Sequence, residues 1–244
     1  MLGQILIASL IGSVFALTGG TILLYREKLA RRVSLFLVSF AVGSLLSAAF
    51  FELLPEALKL GEPKFIFGAA VFGLVVFFLF EKFLRWYHCH DDNCETHIFS
   101  STVIAGDTFH NLLDGVAIAA GFLSGGPVGI ITTLAVFFHE VPQEIGDFGI
   151  LLHAGYSRSK VFLYNFISAL ATPVGAVAAY FFLPTIQGAR GYVMAFTAGV
   201  FIYIAASDLI PEVQHKSKPR EFGHVLMMIL GLLTVLGLGI ILPE

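Results

Sequence analysis

Apolar residues along this chain gather in long runs separated by short polar segments. Runs of about 20 residues suit α-helices that cross a bilayer. They are twice the length of a barrel strand and lack its alternation. The pattern predicts eight helices: α1 over 2–24, α2 over 33–58, α3 over 65–84, α4 over 98–123, α5 over 128–153, α6 over 161–183, α7 over 192–210 and α8 over 222–242. The breaks are polar, among them YREKLARR at 25–32, WYHCHDDNCETH at 86–97, SGGP at 124–127 and QHKSKPRE at 214–221. The expected organisation is a single transmembrane domain over 1–244, with 86–97 as its one ligand-rich loop. The first run lacks the small-residue cleavage pattern of a signal peptide and reads as α1.

Composition narrows the class. Hydrophobic residues make up 57% and charged residues 13%, against about 25% charged in soluble domains. Mean hydropathy is +0.87. A soluble globule and a disordered chain are both excluded. A net charge of −3 and the lack of a basic tract leave no nucleic-acid partner, and the two cysteines, Cys89 and Cys94, share one loop and imply no disulfide framework.

Charge placement sets the expected orientation. Arg26, Lys28, Arg31, Arg32, Lys82, Arg85, Arg158, Lys160, Lys216, Lys218 and Arg220 fall in the loops α1–α2, α3–α4, α5–α6 and α7–α8; Lys59, Lys64 and Arg190 fall on the other side. The positive-inside rule puts the first group in the cytoplasm, with both termini outside the cell membrane. Glu52-Leu-Leu-Pro-Glu56 on α2 resembles Asp208-Leu-Ile-Pro-Glu212 on α7, at opposite faces in this topology. The match suggests an inverted repeat of α1–α3 and α6–α8 around a central α4 and α5, a pattern found in transporters with a site near the midplane.

The chemistry concentrates in that central pair. α4 carries Asp107, His110, Asn111 and Asp114; α5 carries His139, Glu140, Gln143, Glu144 and Asp147. Positions 107, 110, 111 and 114 form one stripe of α4, and 140, 143, 144 and 147 form one stripe of α5. Five carboxylates at about 2.5–3.5 kcal/mol each sum to a cost on the order of 12–18 kcal/mol if all lie deep. A bound divalent cation offsets that cost: it neutralises carboxylates and takes neutral imidazole nitrogen. No cysteine lies in a span, which disfavours Cu⁺, and the histidines disfavour Ca²⁺ and Mg²⁺; Zn²⁺, Fe²⁺, Mn²⁺ and Cd²⁺ remain. Pro142 frees the Phe138 carbonyl beside the site, and Gly115 and Gly146 are expected to admit close helix neighbours.

The segments His110-Asn111-Leu-Leu-Asp114-Gly115 and His139-Glu140-Val-Pro142-Gln143-Glu144-Ile-Gly146-Asp147 resemble the ZIP family of divalent metal transporters. The resemblance extends over the whole chain. It implies eight helices in a 3+2+3 arrangement, often as a homodimer, that move metal into the cytoplasm; the metal is substrate, and no catalytic cofactor is implied. By the family's motifs, His110, Asp114, His139 and Gln143 would hold a first metal. Asn111 and Glu140, with a residue of α6, would hold a second. This chain departs from the pattern of some bacterial members, with Gln143 and Thr172 where those have glutamate, so the resemblance implies one strong and one weak or empty position.

Other residues extend the candidate path. Glu144 is a further candidate metal ligand, and with Asp107 and Asp147 it is expected to form an exit ladder, with Glu52 and Glu56 at one mouth and Asp208 and Glu212 at the other. His88, Cys89, His90, Asp91, Cys94 and His97 in the loop are candidate metal contacts, although their spacing is not that of a structural zinc site. His153, His215 and His224 are weaker candidates. Two other functions compete. His139-Glu140-Val-Pro-Gln143 nearly spells the HExxH of zinc hydrolases, which makes an intramembrane hydrolase the alternative; a metal sensor is the third. No ATP-binding motif is present.

Overall fold

A computed structural model describes residues 1–88, 96–186, 188–216 and 222–242. Every regular element among them is helical. α1 comprises Leu2–Gly12 and Leu17–Tyr25; α2 runs Glu27–Ser47, through a π-helical stretch Ala48–Leu53, to Leu54–Leu60; α3 is Pro63–His88 and α4 is Thr96–Ser124. α5 is Gly126–His153; α6 comprises Arg158–Ala169 and Ala171–Phe182; α7 runs Ala189–Tyr203, through a π-helical stretch Ile204–Leu209, to Ile210–Lys216; α8 is Gly223–Ile241.

Among the described residues, six stretches are long and apolar enough to cross a membrane: Leu2–Tyr25, Val33–Leu60, Pro63–Phe83, Arg158–Thr185, Ala189–His215 and Gly223–Ile241. α4 and α5 match them in length and are set apart by their polar stripes. The chain is an integral membrane protein. Its outer faces suit lipid: Phe65, Phe72, Phe181, Phe182 and Ile240 are all exposed.

The interruptions inside α1, α2, α6 and α7 were not expected, and those in α2, α6 and α7 each lie beside a proline. Pro173 has no N–H, so the Ala169 carbonyl four residues earlier loses its helical partner. The Ser13 hydroxyl, in the break of α1, donates to that carbonyl at 3.0 Å. The break in α1 therefore supplies the donor that the break in α6 lacks, where lipid offers none. In α2 and α7 the wide turns come just before Pro55 and Pro211: Leu54 N–H reaches Ala49 O, and Ile210 N–H reaches Ala205 O, each five residues back. A π-bulge lets a helix continue past such a site.

These features repeat at constant register. Ser13 and Ala169 are 156 residues apart, and the same spacing relates Ala49 to Ala205, Glu52 to Asp208 and Pro55 to Pro211. It also relates close helix contacts. A side chain at Gly43 of α2 would strike the Met228 carbonyl of α8, and one at Gly199 of α7 would strike the Ala70 carbonyl of α3. Gly175 of α6 meets the Leu112 carbonyl of α4, as Gly19 of α1 meets the Val141 carbonyl of α5. α4 and α5 are thus each clamped by a glycine-bearing helix, while α2–α8 and α7–α3 pack as matching pairs.

Candidate metal centre

The SGGP turn brings α4 and α5 together antiparallel, with their polar stripes facing. Four side chains converge: His110 and Asp114 from α4, His139 and Glu140 from α5, all buried. Offering one ligand atom each, they lie within 4.8 Å of one another. His110 Nε2 lies 3.0 Å from His139 Nε2, and His139 Nε2 lies 3.1 Å from Asp114 Oδ2. His110 Nε2 lies 3.5 Å from Asp114 Oδ2 and 3.4 Å from Glu140 Oε1; His139 Nε2 lies 3.8 Å from the same Glu140 oxygen.

Hydrogen bonding prepares the histidine. His139 Nδ1 lies 2.9 Å from the Ala135 carbonyl, which only accepts, so Nδ1 carries the hydrogen. In the neutral ring Nε2 is then a lone pair, aimed at the Asp114 carboxylate. Two acceptors at 3.1 Å hold together only with a proton or a metal ion shared between them. Both Glu140 oxygens are buried without a hydrogen-bond partner among the described residues, an arrangement that is costly unless a positive ion completes it. Phe77 and Phe201 pack edge-on against His110 and His139, at 5.8 and 5.7 Å between ring centres. They form an apolar collar around the donors.

Asn111 and Gln143 turn elsewhere. The Asn111 amide donates to Asp107 Oδ1 at 3.1 Å, and the Gln143 amide donates to the same oxygen at 3.0 Å. The Asn111 oxygen accepts from the Thr172 hydroxyl at 2.7 Å. Glu140 therefore joins the histidines, where the family's motifs suggested Gln143. Glu144 is buried, with both oxygens lacking a hydrogen-bond partner among the described residues.

A cavity of about 340 Å³ opens beside His110 toward the start of α4 and the end of α5; Asp107, Gln143, Asp147, Asp208 and Glu212 line it. Gly146 also lines it and meets open space, not the close helix neighbour expected from sequence. Glu52 and Glu56 are not on this cavity: Glu52 lies against Gly239 of α8, and Glu56 pairs with Lys59 at 3.0 Å. His224 is buried, stacks on Phe36 at 4.4 Å between ring centres and lies 3.3 Å from the Ser39 hydroxyl through Nδ1. Cys89, His90, Asp91 and Cys94 lie outside the described residues, as do the side chains of His88 and His97.

The sequence reading missed Glu81 and Tyr203. Glu81 lines the cavity and accepts from the Tyr203 hydroxyl at 2.5 Å. Beside Lys82, Glu81 looks like part of a charged helix end. The available signal was its position one helical turn after Phe77 on the inward face of α3.

The fold is a membrane-embedded helical bundle with a buried nitrogen-and-oxygen cluster that could hold a metal ion. The family described as ZIP Zinc transporter matches residues 1–101 and 87–242, and the chain belongs to it. Among curated relatives, it is 41% identical over 144 residues to "Zinc transporter ZIP10" of Danio rerio, covering 57% of this chain and 17% of that protein. It is 44% identical over 118 residues to "Zinc transporter zipt-7.2" of Caenorhabditis elegans, covering 47% of this chain and 26% of that protein. It is 36% identical over 139 residues to "Zinc transporter ZIP4" of Homo sapiens, covering 57% and 21%. The chain thus spans roughly a quarter or less of the length of these relatives.

Proposed function

We propose that this chain carries divalent transition-metal ions, Zn²⁺ first among them, across the cell membrane into the cytoplasm through the centre between α4 and α5. The observation that carries the reading is the spacing of the donors. A tetrahedral ion with ligands at about 2.0–2.1 Å needs them about 3.3–3.5 Å apart. The contacts of His110 and His139 with each other and with Asp114 and Glu140 run from 3.0 to 3.8 Å, and all four donors lie within 4.8 Å of one another. Two imidazoles and two carboxylates suit Zn²⁺ and its neighbours and do not suit Cu⁺ or Ca²⁺.

The arrangement proposed around this centre is eight spanning helices, 3+2+3, with α1–α3 and α6–α8 as inverted repeats. The constant register of 156 residues supports it, linking broken helices, π-bulges and glycine contacts in pairs. The basic loops support an orientation with the ends of α3, α5 and α7 in the cytoplasm. The cavity beside His110 then faces inward, and Asp107, Asp147, Asp208 and Glu212 line the release path.

The hydrolase alternative draws less support. Gln143, in the place of the second HExxH histidine, turns its amide to Asp107, and Glu140 stands with the ligands, where a hydrolase would hold it free as a base.

The test is uptake by sealed liposomes that contain the purified chain and a trapped zinc indicator. Saturable uptake, lost in His110→Ala and Asp114→Ala, is expected. Tight zinc binding without flux would overturn the proposal.

A further inference from the structure

The end of the bundle opposite the acid-lined cavity carries a cation that the metal centre does not use. Gly188, at φ 77°, turns the chain into α7, and Arg190 stands in the first turn of that helix. Its guanidinium is half-buried and donates to the Leu123 carbonyl in the last turn of α4. Such terminal carbonyls have no intrahelical partner, and the residue four positions on is Pro127, which has no N–H to offer. A cation there also meets the negative end of the helix dipole. The Ser124 hydroxyl adds a second tie, donating to Met194 Sδ at 2.9 Å, and Met194 is fully buried. Two side-chain contacts thus fasten the start of α7 to the end of α4, on the sealed side of the centre.

A cavity of about 410 Å³ opens beside Arg190, and Arg190 is its one charged residue among those described. The cavity on the other side of the centre is lined by acids such as Asp147, Asp208 and Glu212. The repeat register sharpens this contrast. Arg190 of α7 corresponds to Ser34 of α2, 156 residues earlier. α4 corresponds to α5 at a spacing of 29, which relates His110 to His139 and the Leu112 carbonyl under Gly175 to the Val141 carbonyl under Gly19. Ser34 lines the open cavity, and its short side chain cannot span to α5 as Arg190 spans to α4. A long cationic tie marks the closed end, and a serine marks the matching open end.

We propose that Arg190 is the latch of the outer side. Held on the Leu123 carbonyl, it keeps α7 against α4 while the inner cavity is open, and its charge repels cations from the outer cavity. An ion enters only after the guanidinium leaves that carbonyl and α7 parts from α4. The proposal rests on the reading of this chain as a carrier in which α4 ends on the outer side.

Cysteine labelling tests the latch on the full chain, cleared of Cys89 and Cys94 and held in lipid nanodiscs without zinc. Arg190→Ala should raise the maleimide reactivity of Ala119→Cys, in the sealed half, on the order of 10-fold, the shift that one hydrogen bond to a charged group gives a two-state balance. Arg190→Lys keeps a cation at the helix end and should restore most of the protection. Ala169→Cys, buried in the separate cluster around Phe148, should stay unreactive throughout. Reactivity that rises at Ala169→Cys as well would mean loosened packing and would overturn the latch, as would no change at Ala119→Cys. A reversible thiosulfonate cross-link between Ser124→Cys and Met194→Cys gives a second measurement that leaves Arg190 in place. Zinc uptake by liposomes should stop on cross-linking and return with reductant, and uptake that continues in the cross-linked chain would overturn the latch. A chain that moves no zinc even before cross-linking would instead sink the reading as a carrier, and the labelling would still decide whether Arg190 holds this end shut.

Discussion

The two sides of the metal centre are built from the same helices and could hardly differ more. Toward the SGGP turn, α4 continues from Asp114 into Ala117, Ile118, Ala119 and Ala120, and α5 approaches His139 through Ile131, Ala135 and Val136, all at most 1% exposed. Gly121 admits Thr132, and Gly129 admits the Phe122 ring, so the helices close with little space between them. Toward the other side, the same two helices present Asp107, Gln143, Gly146 and Asp147 to a cavity. Small apolar residues seal one half, and acids with a glycine open the other. A carrier must never be open on both sides at once, and this asymmetry gives the closed side to dispersion packing and the open side to carboxylates.

The largest effect expected from breaking this comparison comes at the dividing line itself. His110→Ala or Asp114→Ala removes a donor, and zinc affinity should fall by at least about 100-fold, more than loss of an outer-shell partner costs; competition with a fluorescent zinc chelator measures it.

Accessibility sharpens the comparison next. In a chain cleared of Cys89 and Cys94, a cysteine placed at Gly146 should react readily with a water-soluble maleimide, and zinc should slow it. One placed at Ala119 should stay unreactive. Equal labelling at the two positions would erase the proposed asymmetry.

Smaller effects concern the clamps. Gly115→Ala drives a methyl group into the Thr172 carbonyl and should cost about 1–3 kcal/mol. Gly146→Ala meets open space and should gain up to about 1 kcal/mol from helix propensity. Opposite shifts in the thermal midpoint of the detergent-solubilised protein are the readout. A smaller effect than Gly115→Ala is expected of Ser13→Ala, which leaves the Ala169 carbonyl without its hydroxyl donor and should cost about 0.6 kcal/mol in the same melt.

Much of this was legible in the sequence because the bilayer is a strict solvent. Runs of about 20 apolar residues allow few structures, and acids such as Asp114 and Glu140 inside such runs announce a site. Spacing put His110 and Asp114 on one face of α4, and the structure keeps them together. What spacing could not decide was which way side chains turn. Glu140, Gln143 and Glu144 share a stripe, yet Glu140 joins the histidines, Gln143 reaches back to Asp107, and Glu144 is buried without a hydrogen-bond partner among the described residues. The amides chose the nearest carboxylate oxygen, a pairing across helices that a linear pattern does not encode. The break in α6 at Leu170 was similarly hidden. Pro173 signals it, but its satisfaction by Ser13 depends on a neighbour 156 residues away. Glu81 escaped notice because it sits near a span end, where charge is ordinary, and Tyr203 because one phenol within an apolar run is no metal-ligand signal.

The central claim is that zinc is held by His110, Asp114, His139 and Glu140. Zinc K-edge X-ray absorption, on the chain loaded with one equivalent of Zn²⁺, tests it most directly. The account predicts nitrogen and oxygen scatterers at about 2.0–2.2 Å, with the multiple-scattering signature of two imidazoles and one imidazole lost in His139→Ala. Sulfur at about 2.3 Å would place the metal on Cys89 and Cys94 instead, and would contradict the account.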